Sequence, residues 1–210
     1  MINVFINPYG RILIYLCLII LFGCSSSKKT DIYTPDETAQ KLYLKSQQEL
    51  AKGEYRRAYM DYKSALTEDP GIANTSHLSS IIYEWVIRKS EGEDVILLKA
   101  QKNVWLKPEQ LELRKQLLST AVRDNIINVF GLGMSSDEFV NSRQRRLSAR
   151  KSALMDCQAW TARLSSWIED GVNGSFNAKS SSGKIKVVKE FWVDDTIYVI
   201  KAKASSEDLE

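Results

Sequence analysis

The strongest constraint on the fold lies near the C-terminus, where two β-prone runs, 184–193 and 196–203, carry apolar residues on both alternations. In the first, Ile185, Val187, Phe191 and Val193 alternate with Val188 and Trp192; in the second, Ile197 and Val199 alternate with Tyr198 and Ile200. Successive strand residues point to opposite faces, so a sheet built from these runs needs cover on both sides. Asp194-Asp195 between them is turn material, a better assignment than an acid–base pair, and makes the runs an antiparallel hairpin. Upstream, 126–130 is β-prone and enters Gly131-Leu132-Gly133, after which Ser135 or Ser136 can cap a helix beginning near Asp137. From Arg146 the helical pattern is strong. Ala149, Ala153, Cys157, Trp160, Leu164, Trp167 and Ile168 recur at steps of three and four, with Lys151, Asp156, Gln158, Arg163 and Glu169 opposite, and Gly171 ends it. One helix covers one sheet face. The other face needs the chain's own N-terminal helices or a partner, and the expectation here is association through the sheet.

The N-terminal half offers helices. Ala39, Leu42, Tyr43, Ser46 and Leu50 form one stripe, and Tyr55, Ala58, Tyr59, Tyr62, Ala65 and Leu66 a second, with a break at Lys52-Gly53-Glu54. Asp69-Pro70-Gly71 stops the second helix by removing a backbone donor. This hairpin closely resembles the second half of a tetratricopeptide repeat, in which Ala58 and Ala65 allow close helix approach and Tyr62 fills the groove. Ser46 stands where the repeat has glycine. One hairpin cannot bury its own apolar faces, since such arrays need about three repeats. Leu78, Ile81, Ile82, Trp85 and Val86 make a third stripe starting near Thr75 and Ser76, and 95–106 and 108–122 supply two more helices. The aromatic residues of this region are assigned to core packing.

The first twenty-four residues speak to location. Arg11 precedes an unbroken apolar run over 12–22, about half of the roughly 20 residues that a membrane-spanning helix requires, and this reads as a secretory signal. The run closes on Leu21-Phe22-Gly23-Cys24, which resembles the bacterial lipobox and makes Cys24 the lipidation site. Acyl chains contribute ~0.8 kcal/mol per buried CH₂, so several of them anchor a protein for good. Ser25 follows where an aspartate would, by resemblance to Gram-negative sorting signals, hold a lipoprotein in the inner membrane, so the outer membrane is expected, with the protein facing the periplasm or cell surface. Loss of Cys17 with the leader and use of Cys24 leave Cys157 alone, as a small buried residue, and no intramolecular disulfide can form.

The block 120–204 resembles the bacterial LPP-type family, the twenty-kilodalton membrane-associated lipoproteins, whose domain also occurs in flagellar-assembly lipoproteins. The residues that carry the resemblance are Gly131-x-Gly133, Ala149-Arg150, Ala153, Asp156-Cys157, Leu164, Gly171 and the terminal paired strands. It implies a small α+β fold like the dodecin sandwich, a surface or envelope role, and no catalytic activity. The expected organisation is a signal peptide over 1–23, a polar tether over 24–35, a tetratricopeptide-like helical region over 36–122, a small α+β domain over 123–204 and a tail over 205–210.

Composition narrows the chemistry. A net charge of +3 spread over 210 residues leaves no broad footprint for nucleic acid. One histidine and three cysteines leave little for a metal centre or a triad, and no cofactor is expected. Gly131-x-Gly133 lacks the third glycine and the lysine of a phosphate loop. Asp137-Glu138 reads as first-turn helix charge, and His77 is expected at the surface. Arg143, Arg145, Arg146, Arg150 and Lys151 form the densest basic cluster, a solvated or paired face, with anionic headgroups or glycan as the sharper reading. Arg146, Arg150, Phe191 and Trp192 are the candidate partner-binding residues. The expected function is a noncatalytic, lipid-anchored envelope scaffold that binds envelope proteins, with a homo-oligomer through the sheet and a role in surface or flagellar structures. The alternative is a membrane-tethered cell-wall hydrolase, which would need paired carboxylates or a nucleophile with a base, and no such spacing occurs.

Overall fold

A computed structural model describes residues 33–135, 141–174 and 184–205. Cys24, Asp137-Glu138 and the Ser180–Gly183 turn lie outside the described residues. From Pro35 onward the chain is one compact unit with an α+β architecture, helices first and an antiparallel sheet after them.

The first hairpin follows the sequence pattern. Helix α1 (Glu37–Lys52) starts on the Asp36 carboxylate, which accepts from the backbone of Thr38 and Ala39, and stops at Gly53, whose φ of 76° suits glycine. Helix α2 (Tyr55–Glu68) runs back along it and ends at Asp69, where a 3₁₀ turn over Pro70–Ile72 begins. Ala58, Ala65 and Tyr62 are all buried at the contact. Helix α3 (Thr75–Arg88) is capped by Asn74 rather than by Thr75 or Ser76, and α4 (Glu93–Leu106) and α5 (Leu111–Ala121) follow. His77 is not a surface residue. It is buried on α3, with its ring edge-on to Tyr43 and Tyr62, each 5.0 Å between centroids. The Ser46 hydroxyl donates to the Ala58 carbonyl at 2.6 Å, so the His77 Nε2–H donates to Ser46 Oγ at 2.9 Å. Ser46 therefore links three helices, and burial lowers the pKa of His77.

The short strand β1 (Val122–Arg123) turns at Asp124-Asn125, both with positive φ, into β2 (Ile126–Met134). Strand β2 runs straight through both glycines. Helix α6 (Ser142–Glu169), β3 (Lys186–Val193) and β4 (Ile197–Ser205) complete the fold, and the sheet order is β1-β2-β4-β3, antiparallel throughout. Asp194-Asp195 form the β3–β4 turn, both with positive φ.

The register sorts the two sheet faces. Val129, Gly131 and Gly133 stand opposite Ala202, Ile200 and Tyr198, and α6 lies on this side. A Cβ on Gly131 would sit 2.0 Å from the Ala153 carbonyl oxygen, and one on Gly133 would sit 2.0 Å from that of Ala149. The Gly-x-Gly and the helix's small residues are thus two halves of one contact, in which backbone meets backbone. The opposite side carries Phe130, Val193, Ile197, Val199 and Lys201. Here α3 and α4 provide the cover: Asp94 in the first turn of α4 pairs with Lys201 at 2.6 Å and Lys189 at 3.7 Å, and the Trp85 indole N–H donates to Asp194 at 2.9 Å. The apolar surplus that argued for association through the sheet is therefore taken up within the chain, which is the competing explanation, and one apolar cluster runs from Tyr62 through Trp85 to Phe130, Cys157 and Val199.

Candidate functional site

Past Ile127 the outer edge of β2 has no described strand beside it, and side chains from two helices take the strand's place. The buried Gln101 of α4 makes both bonds that a neighbouring strand would make to Phe130: its amide N–H donates to the Phe130 carbonyl and its amide oxygen accepts the Phe130 N–H, each at 2.9 Å. Asp156 of α6 accepts the next outward N–H, that of Leu132, at 2.9 Å through Oδ2. Edge groups buried without water need such partners. Neither substitute is visible in sequence, because each reaches across tens of residues.

Beside this edge opens a cleft of about 430 Å³, with Ile82 and Tyr83 of α3, Trp105 of α4, and Met155, Asp156 and Arg163 of α6 among its lining. Its walls are mostly apolar, with few polar groups, as in ordinary ligand and side-chain pockets. Arg163 lies 5.0 Å from the ring of Trp160 and 5.5 Å from that of Trp105, measured from its guanidinium carbon, and the two rings are themselves 6.2 Å apart and tilted, so the charge sits against one side of the tryptophan pair at the cleft wall. The Trp105 indole N–H donates to Ser79 at 2.7 Å, and 36% of Trp105 is exposed, so this tryptophan is a rim residue rather than core.

Burial dominates the titration here. Asp156 is raised to about 6, with the Leu132 N–H and the Arg163 charge only partly offsetting its desolvation. Burial likewise raises Tyr83 and lowers Arg163. The Cys157 thiol is buried against the sheet, donates to the Ile200 carbonyl at 3.5 Å, and is pushed up to about 12, so its proton stays on at any physiological pH and the sulfur is no nucleophile. Among the described residues no group of three or more His, Cys, Asp or Glu could hold a metal ion.

The four residues singled out as partner-binding divide in space. Arg146 and Trp192 both line a notch of about 240 Å³, with Arg145 and Asp195, at the N-terminal end of α6. Arg150 is engaged inside the molecule, donating from Nε to Glu190 at 3.0 Å. Phe191 lies on the other sheet face under Lys189, whose ammonium is 5.2 Å from the ring centroid. Trp192 packs edge-on against Tyr198, 4.8 Å between centroids. The cleft residues Asp156 and Arg163, assigned by periodicity to the solvent side of α6, instead face α3 and α4. No protein-family model, curated protein or solved structure matches the chain.

Proposed function

We propose that this protein is a lipid-anchored lipoprotein of the bacterial outer membrane that acts by binding other envelope proteins, without catalysing a reaction. The observation that carries the reading is the junction of Leu21-Phe22-Gly23-Cys24, a hydrophilic run Ser25-Ser26-Ser27-Lys28-Lys29-Thr30, and a compact unit that begins at Pro35. Such an order suits a lipidated cysteine, a tether and a body held at a membrane surface. The LPP-type resemblance points the same way: its shared residues Gly131, Gly133, Ala149, Ala153 and Cys157 form the helix–sheet contact, and Asp156 caps the β2 edge, which are structural duties. The hydrolase alternative finds in Asp156 a carboxyl raised to about 6, but among the described residues no second carboxylate lines the cleft beside it.

Metabolic labelling with a fatty-acid analogue tests the anchor. Wild type takes up label and fractionates with membranes, and Cys24→Ala loses both; equal labelling of the two proteins overturns the proposal.

A further inference from the structure

We propose that the cleft between α3, the end of α4, β2 and α6 receives one large apolar side chain of an extended partner polypeptide, whose backbone N–H at that residue donates to Asp156 Oδ1. The inference deepens the reading as an interaction protein and does not depend on the lipid anchor.

Three observations carry it. Asp156 lines the cleft and spends only Oδ2 on the protein; Oδ1 receives no hydrogen bond from a described residue. A carboxylate in low-dielectric surroundings with one oxygen open is an incomplete hydrogen-bond acceptor, and a donor arriving from outside completes it. The second observation is the charge balance. Among the described residues of the lining, Asp156 and Arg163 are the only ionised side chains, one of each sign, so a charged ligand meets attraction and repulsion together. A neutral group that offers a donor to Asp156, as a peptide N–H does, avoids the repulsion that a charge of either sign would meet. The third is the rim. Trp105 is 36% exposed and Met155 58%, so adaptable apolar side chains carry the cleft lining out to the surface. Tryptophan, methionine and arginine around an apolar pocket are the composition of a protein-binding anchor point. A volume of about 430 Å³ takes a large side chain with its flanking backbone.

The test uses the full-length protein in lipid nanodiscs, labelled with 5-fluorotryptophan, with the Trp105 resonance assigned from Trp105→Phe. The probes are acetyl-Gly-Phe-Gly-amide, the same peptide N-methylated at phenylalanine, and octanoate. The expected result is a saturable shift of the Trp105 signal with the first peptide, no shift at Trp192, and affinity about tenfold or more lower for the N-methylated peptide. Asp156→Asn, which keeps an oxygen for the Leu132 N–H, brings the two peptides to equal affinity. Should that variant fail to fold, the two-peptide comparison on wild type decides alone. Equal binding of both peptides by wild type, a stronger response to octanoate, which would make the cleft an acyl site, or a Trp105 signal that ignores the peptide overturns the proposal. A protein that takes no fatty-acid label yet binds the peptide overturns only the anchor, and a labelled protein with an unresponsive Trp105 overturns only the cleft.

Discussion

The two faces of the sheet are covered by opposite means. On one, α6 approaches β2 so closely that Gly131 and Gly133 have no room for a methyl group, and contact is made by Ala149, Ala153 and Cys157. On the other, α3 and α4 stand off on large side chains and are held by polar ties, Asp94 to Lys201 and Trp85 to Asp194. Close packing of backbones leaves nothing to fill and nothing to bind. The looser layer cannot follow the edge of β2 as tightly, and where it meets α6 a cleft remains. Rigidity and a binding-sized space thus come from the same sheet, according to whether small or large residues set the spacing.

Substitution on the tight face has the largest effect. Gly131→Ala places a methyl group against the Ala153 carbonyl and Cys157, with backbone atoms that cannot yield, so a loss of about 4 kcal/mol or more is expected. Thermal melts by circular dichroism measure it, and a melt within a degree or two of wild type would break the contrast between the faces. Next comes the seam. Asp156 is raised from 3.8 to about 6, so the folded state holds its proton more tightly than the unfolded chain does. Its burden on stability is absent below about pH 4, grows through the window up to about pH 6, and is complete above it, amounting to ~3 kcal/mol. Glu49, also raised by burial, acts with the same sign, and the lowered His77 acts oppositely by disfavouring the fold as pH falls. Both persist in Asp156→Asn, so the difference in urea-unfolding free energy between variant and wild type isolates Asp156. That difference is expected to favour the variant by ~3 kcal/mol more at pH 8 than at pH 4, and a flat difference would remove the buried carboxylate from the account. The smallest effect belongs to the loose face: Trp85→Phe deletes the bond to Asp194 together with the pyrrole half of a buried indole, at a cost of about 2 kcal/mol in the same assay. A cost matching that of Gly131→Ala would mean that the polar ties, and not the glycine contact, hold the layers.

Much of the fold was legible because local chemistry decides local geometry. Gly53, Asp69-Pro70 and Gly171 end helices where turn and capping chemistry says they should, and Asp194-Asp195 make the hairpin turn. The misreadings share one cause. His77 looked exposed because no companion in sequence explained it; its companions, Ser46, Tyr43 and Tyr62, lie on two other helices. Asp156 and Arg163 fell on the polar side of α6, since a helical wheel distinguishes only the face toward the sheet from the rest and cannot show a second layer arriving from α3 and α4. Arg114 was missed altogether. It is buried at the end of α6, donating to the carbonyls of Pro108 at 2.6 Å, Val172 at 2.9 Å and Gly174 at 2.7 Å.

By itself the sequence determined the helices, the three longer strands and their order, the need for cover on both sheet faces, and the lipobox-like stretch on which the anchor proposal rests, because each depends on residues close together in the chain; the short β1 it read as the end of a helix. Only the tertiary structure decided what covers the second face, that Gln101 and Asp156 stand in for a missing strand, and that a cleft lies beside them. Those outcomes depend on groups such as Gln101 and Phe130, 29 residues apart, being desolvated together. Hydrophobic patterning states that a surface will be buried; it does not say against what.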